Sequence, residues 1–211
     1  MPTTEKRLRP RKTPRQPRAV DTRARILDAA RVVFAEHGYA AGTTNRIAAE
    51  AAMSVGSLYQ YFPNKDSILV ELVRTHVDDG GRAVLGALDA LPRPTDAEGL
   101  ARVVRAVVGA MVAIHADDRR LHQVLFEESP RPAALLGELH AMEDTAVGVA
   151  AAWIGPLLRA DVDPELTARI VTVTIESLVH RLVASERPLD VDGFVDECVA
   201  LVLAYLAPKL R

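Results

Sequence analysis

The chain has 211 residues, 49% hydrophobic and 26% charged, with a single cysteine and a net charge of −2. That profile belongs to a globular protein with room for one sizeable core, or for a small and a larger domain. The lone Cys198 excludes an intrachain disulfide and every cysteine-based zinc cluster within one chain, which suits a reducing cytoplasm. No apolar run approaches the roughly 18 residues that cross a bilayer, and none of signal-peptide length follows the basic N-terminus, so neither membrane nor secretory signal is expected.

The charge is unevenly spread. Residues 1–65 hold 12 Lys+Arg against 5 Asp+Glu, and residues 66–211 hold 14 against 23. A basic head on an acidic body fits a head that meets a polyanion, and equally a basic solubilising tail. Residues 1–20, with four prolines and almost no apolar side chains, read as a disordered basic tail.

From Asp21 the pattern is helical. Asp21 or Thr22 can cap a helix with Ile26, Ala30, Val33 and Phe34 on one face, and His37-Gly38 stops it. Thr43 or Thr44 can cap the next, with Ile47, Ala48 and Ala51 inward. Ser54 caps a third over Val55–Tyr61, and Pro63 ends it. Asn64 caps a fourth from Lys65 towards Leu91, in which Gly80-Gly81 could kink or break the chain. Further helices follow over about 96–115, 117–128 and on to about Leu158, with Ser129-Pro130-Arg131-Pro132 interrupting. Asp163 caps and Pro164 opens a helix to about Ser185. Asp190 or Asp192 starts the last, ending near Ala207-Pro208. No strand and no repeat stands out, so the expected fold is all-α, with about nine helices.

The second and third helices, joined by the short Ala52-Met53-Ser54 turn, form a helix-turn-helix. Val55, Gly56 and Ser57 are small enough to let the helix start approach base edges. Leu58 and Phe62, four apart, anchor it inward. Tyr59, Gln60 and Tyr61 then face sugar and phosphate, Thr44 can hold another phosphate, and Lys65 adds positive charge.

The stretch Thr22–Val73 resembles the DNA-binding domain of TetR-family transcriptional regulators. The residues that carry the resemblance are Phe34-x3-Gly38-Tyr39, Thr43-Thr44, Ile47-Ala48 and Ser54-Val55-Gly56-Ser57-Leu58-Tyr59-x-Tyr61-Phe62-x2-Lys65. Ala52 stands where the family often has Gly, Met53 where it often has Val, and Tyr61 where His is common. The Ala could strain the turn backbone. The resemblance implies DNA contacts from Thr43, Thr44, Arg46, Ser54, Val55, Gly56, Ser57, Tyr59, Gln60, Tyr61 and Lys65. It implies an N-terminal three-helix DNA-binding domain over 21–65 and a helical ligand-binding and dimerisation domain over 66–211.

The same resemblance implies a homodimer through the last two helices, with a small-molecule effector in the body. Helix 164–185 carries one apolar row at Leu166, Ile170 and Val173 and another at Val171, Ile175, Leu178 and Leu182. Rows this wide are buried on two sides. Ile175, Leu178, Leu182, Val195, Val199, Val202 and Leu206 are the expected interface. Met111, His115, Phe126, Met142 and Trp153 could line a pocket, though such residues also serve as plain core. Glu127-Glu128 fits a solvated face or a cationic ligand. His140-x2-Glu143 is a solvent-facing pair rather than a metal site.

The expected function is a cytoplasmic repressor whose dimer grips a palindromic DNA operator and is released by a small molecule. No cofactor, metal or membrane partner is expected. An enzyme finds no support, since no nucleophile-base pair, phosphate loop or metal spacing is present. A DNA-binding protein controlled by a protein partner, or by nothing, is the alternative.

Overall fold

The computed structural model describes residues 17–116, 119–128, 133–183 and 189–211, the side chains of 17–19, 127, 133–134 and 183 excepted. The basic tail expected at 1–20 lies outside them up to residue 16. The described residues fold into nine α-helices with short π and 3-10 segments: α1 (Pro17–Ala41), α2 (Thr44–Glu50), α3 (Val55–Tyr61), α4 (Lys65–Asp89), α5 (Ala97–Ala116), α6 (Arg119–Gln123), α7 (Ala133–Ile154), α8 (Pro164–Leu178) and α9 (Val191–Leu206). π-helices over Val124–Glu128 and Val179–Val183 extend α6 and α8. The fold is all-α, with an N-terminal helix-turn-helix and a helical C-terminal region.

Local chemistry sets most boundaries. Thr43 caps α2 by accepting from the Arg46 amide, Ser54 caps α3 by accepting from Ser57, and Asn64 caps α4 by accepting from Ser67. Asp96, Asp163 and Asp190 cap α5, α8 and α9. Such caps contribute about 1 kcal/mol each.

Three expectations need correction. α1 begins at Pro17, so Asp21 and Thr22 lie inside the helix and not at its start. α4 runs unbroken through Gly80-Gly81, because neither glycine leaves helical geometry. α5 is, contrary to the reading of the sequence, long and apolar enough to cross a membrane by length and composition alone. Its Leu100, Val104, Val108 and Val112 lie instead in the protein's own core.

The chain divides into two compact units. One comprises residues 1–77 together with 120–135, and the other 78–119 with 136–211. The expected boundary at residue 65 thus moves into α4, and a segment from the middle of the chain joins the N-terminal unit. In that unit α1 packs on α2 and α2 on α3, over buried Ile26, Val33, Phe34, Ile47, Leu58, Phe62 and Leu69. In the other, α5 packs on α9, and the core runs from Leu100 through Val147 and Ala168 to Leu206. A small clasp closes its C-terminus: Leu158 bridges Leu210, and the Arg159 amide donates to the Lys209 carbonyl at 2.9 Å.

Candidate nucleic-acid interface

α2 and α3 have seven residues each, too few to persist alone. Their termini and inward anchors hold them. Leu58 and Phe62 are both fully buried, as the four-residue spacing predicts, and the Arg23 guanidinium sits 5.4 Å from the Phe62 ring centre. The turn between the helices carries the one non-glycine positive φ among the described residues, Ala52 at 50°. That is the turn position where the sequence departs from the glycine of its resemblance, and the strain expected there is present.

The polar residues cluster on the outer side. Val55, Gly56, Tyr59 and Gln60 are exposed, and Ser57 and Tyr61 are half-buried. Ser54 accepts from the Ser57 amide at 3.1 Å and shares a hydroxyl contact with Ser57 at 2.9 Å, so the helix start is ordered before any ligand arrives. A Cβ built on Gly56 meets nothing closer than Ser54 Oγ at 3.8 Å, which leaves its outer side open to an approaching surface. Across the turn, Thr44 Oγ1 and Tyr59 Oη lie 3.0 Å apart and tie α2 to α3. Thr43 is exposed at the start of α2, and exposed Arg46 sits 2.9 Å from His37 Nε2. The sequence offered His37 only as part of the helix stop with Gly38.

Lys65 is placed differently from expectation. Its ammonium donates to the carbonyls of Tyr39 at 2.8 Å and Ala40 at 3.3 Å, and lies 4.1 Å from the centre of the Tyr39 ring. It therefore ties the end of α1 to the start of α4, and a phosphate would have to share it. Tyr39, quoted above only among the residues that carry the resemblance, also has a structural role. Its phenol donates to Asp66, and burial, with the hydrogen bond and charge of Asp66 adding, pushes the phenol well above its ordinary value. The aromatic next to Gly38 was the available signal.

The residues expected at a pocket, Met111, His115, Phe126, Met142 and Trp153, are distributed over both units. Phe126 belongs to the N-terminal unit, where its ring stacks on His122 at 4.5 Å and meets His76 edge-on at 5.5 Å. Met111, His115, Met142 and Trp153 belong to the other. There His115 is buried, its Nδ1 is 2.6 Å from the Met111 carbonyl, and its ring meets His180 at 4.5 Å. Burial holds His115 below the ordinary histidine value. Trp153 carries the Arg93 guanidinium 4.1 Å from its ring centre. An open groove of about 640 Å³ lies between α7 and α8, lined by Val147, Gly148, Ala151, Pro164 and Arg169 among others.

The expected interface row is also corrected. Ile175, Val195, Val199, Val202 and Leu206 are buried in their own core, and Leu178 is half-covered against it. Side chains already covered by their own chain offer almost no area to a partner. Leu182 is exposed as expected, at 42%. The other row of α8 is the free one: Leu166, Ile170 and Val173 are 56%, 41% and 39% exposed, with Leu201 of α9 at 49%.

Comparison with known proteins agrees along the chain. The profile of bacterial regulatory proteins of the tetR family matches residues 26–72, and that of the tetracyclin repressor-like C-terminal domain matches 99–206. FasR, an HTH-type transcriptional activator of Mycolicibacterium smegmatis, is 28% identical over 184 residues, 85% of this chain and 80% of FasR. Other curated relatives are spanned over only a quarter to a third of their length. Among solved structures, a TetR-like regulator from Rhodococcus sp. RHA1 superposes with a TM-score of 0.66 at 26% identity, covering 92% of this chain and all of that one. FadR of Bacillus subtilis, in complex with stearoyl-CoA, shares the fold with a TM-score of 0.67 at 22% identity, over 86% of this chain and 98% of FadR.

Proposed function

The chain belongs to the tetR family of bacterial regulatory proteins, and on that premise we propose that it is a cytoplasmic repressor, released from a palindromic operator by a small-molecule effector. Members of this family regulate transcription and are not enzymes. The observation that carries the DNA-binding part is the ordered, open start of α3. Exposed Val55 and Gly56 lie over a Ser54–Ser57 cap, with Tyr59 tied to Thr44 beside them. Small residues admit base edges, and the hydroxyl and amide groups around them suit phosphate oxygens. Arg46 and Gln60 are the long exposed side chains within reach of the same surface.

A homodimer supplies the second recognition helix. Leu166, Ile170 and Val173 recur on one side of α8, and Leu201 of α9 is exposed as well. A row of large exposed apolar side chains at helical spacing suits burial against a second copy. Two-fold symmetry then demands half-sites about 34–36 Å apart, or a multiple of that. Effector control rests on the body, and the stearoyl-CoA held by FadR makes long-chain acyl thioesters the first class to screen. Release requires the effector to prefer one state, by about 1–3 kcal/mol in typical couplings. FasR, matched over most of both chains, is an activator, and that favours activation as the second reading.

The test is selection of duplexes from a random pool by the purified full chain at stated salt. An enriched palindrome supports the reading and supplies the operator for effector screening. Weak binding without enrichment that vanishes as salt rises would sink it.

A further inference from the structure

The chain passes between the two units three times, once within α4 and once at each end of the segment Arg120–Leu135. That segment follows α5 and ends within the first turn of α7, yet it belongs to the N-terminal unit. Its π-helix, Val124–Glu128, packs against α1. π-Helical turns are uncommon and concentrate at functional sites.

The contact is built around one break in the backbone. Gly38, with φ 71° and ψ 174°, turns the chain out of α1. A break there takes the Tyr39 amide out of the α1 hydrogen-bond ladder. Glu128 Oε2 accepts from that amide at 3.3 Å. Its other carboxylate oxygen accepts from Arg120 Nη1 at 2.5 Å, and Arg120 also donates to Gln123 Oε1 at 2.7 Å. The fit is close: a Cβ on Gly38 would lie 2.8 Å from Glu128 Oε2 and 3.3 Å from the Arg120 guanidinium. The glycine is therefore needed for its φ, and its lack of a Cβ leaves room for the carboxylate.

From Tyr39 the contacts lead to the DNA-facing side. Its carbonyl accepts from Lys65 and its phenol donates to Asp66. Three residues on, the Gly42 amide donates back to the Gly38 carbonyl at 3.0 Å, and Thr43 then caps α2. One residue thus receives the inserted segment on its amide and the start of α4 on its carbonyl, ring and hydroxyl.

We propose that Glu128, braced by Arg120, is a positioning residue for DNA binding: it holds the Gly38–Tyr39 elbow, and through Tyr39 it sets Lys65 and the start of α2. The inserted segment is then an input to the DNA-binding unit, joined through the chain to α5 at one end and α7 at the other. The exposed ion pair alone would contribute little. The charged acceptor on an amide outside its ladder is the stronger part. This inference rests on the DNA-binding reading above.

The test uses the full chain with Glu128→Ala, read by hydrogen exchange and by affinity for the duplex selected by the wild type. Exchange in peptides covering residues 38–47 should speed up about tenfold while α8 and α9 keep their protection. Affinity should fall about three- to tenfold. In a Lys65→Met background the same Glu128→Ala change should cost less, because part of its effect runs through Lys65. Arg120→Gln, which leaves the carboxylate in place, should fall between the variant and the wild type, and it carries the test if Glu128→Ala does not fold. Unchanged exchange at 38–47 overturns the proposal. So does faster exchange with unchanged affinity, or full additivity with Lys65→Met. A wild type that selects no duplex fails the DNA-binding reading itself, and that failure appears before any variant is made.

Discussion

The N-terminal unit and the body hold their helices in different ways. α2 and α3 have seven residues each and depend on Thr43 and Ser54 caps, two buried anchors and a strained turn. α5, α7, α8 and α9 have 15 to 22 residues and carry more apolar surface than one contact face needs. In the small unit many of the polar side chains near the turn are engaged with one another, so its surface is ordered before a partner arrives. In the body the apolar surplus of α8 stays exposed. The first unit therefore presents polar geometry, and the second uncovered apolar area.

The sharpest way to break that comparison is to place a charge on each row of the body. Leu166→Glu with Ile170→Glu should leave the fold intact, convert dimer to monomer in sedimentation, and lower operator affinity at least about a hundredfold, since linked half-sites become independent. Val199→Glu, on the buried row of α9, should instead prevent folding, because the charge would sit in the core. A double variant that remains dimeric would refute the assignment of the outer row.

The matching change in the small unit is Phe62→Ala. It removes a fully buried ring and should cost about 3–5 kcal/mol. DNA binding should vanish while most helical circular dichroism survives, because the body has its own core. Loss of all helical signal in one step would show that the two units fold as one.

The sequence was most legible where structure is made by neighbours in the chain. Gly38 as a helix stop, Ser54, Asn64 and Asp163 as caps, and Leu58 with Phe62 as anchors are decided within a few residues of themselves. The two apolar rows of α8 were both visible, but which one meets its own core depends on α5 and α9, far off in sequence. The inward row was therefore given to the partner. Glu128 presented the same difficulty. Its partner amide at Tyr39 lies 89 residues away, and no periodicity reports such a contact. Lys65 looked free for phosphate because its acceptors are backbone carbonyls, which every residue has.

His115 offers a pH test of how the body is packed. Burial lowers its pKa, so the folded state binds its proton less readily than the unfolded chain. Its stabilising contribution is complete above the ordinary value of about 6.5 and is lost as pH falls below it, at no more than about 1.4 kcal/mol per pH unit. The wild type should lose more urea resistance between pH 7.5 and 5.5 than His115→Leu does. Taking that difference also removes the contribution of Glu176. Its carboxyl is pushed up by burial, with the charge of Glu143 adding, and acts with the opposite sign. Equal losses would mean that His115 is hydrated when folded.

The smallest expected effect is the most local. Ala52 holds φ at 50° in the turn between α2 and α3, where a Cβ crowds the following carbonyl at a cost of about 1–2 kcal/mol. Glycine removes that crowding but adds freedom to the unfolded chain, which returns about 0.5–1 kcal/mol. Ala52→Gly should therefore stabilise the N-terminal unit by about 0.5–1 kcal/mol and leave the body unchanged. Its effect on DNA affinity separates two uses of the strain. Unchanged affinity means that the turn tolerates alanine as a fixed cost. Weaker affinity, despite higher stability, means that the stiff turn holds Ser54 and the start of α3 in the orientation that DNA requires.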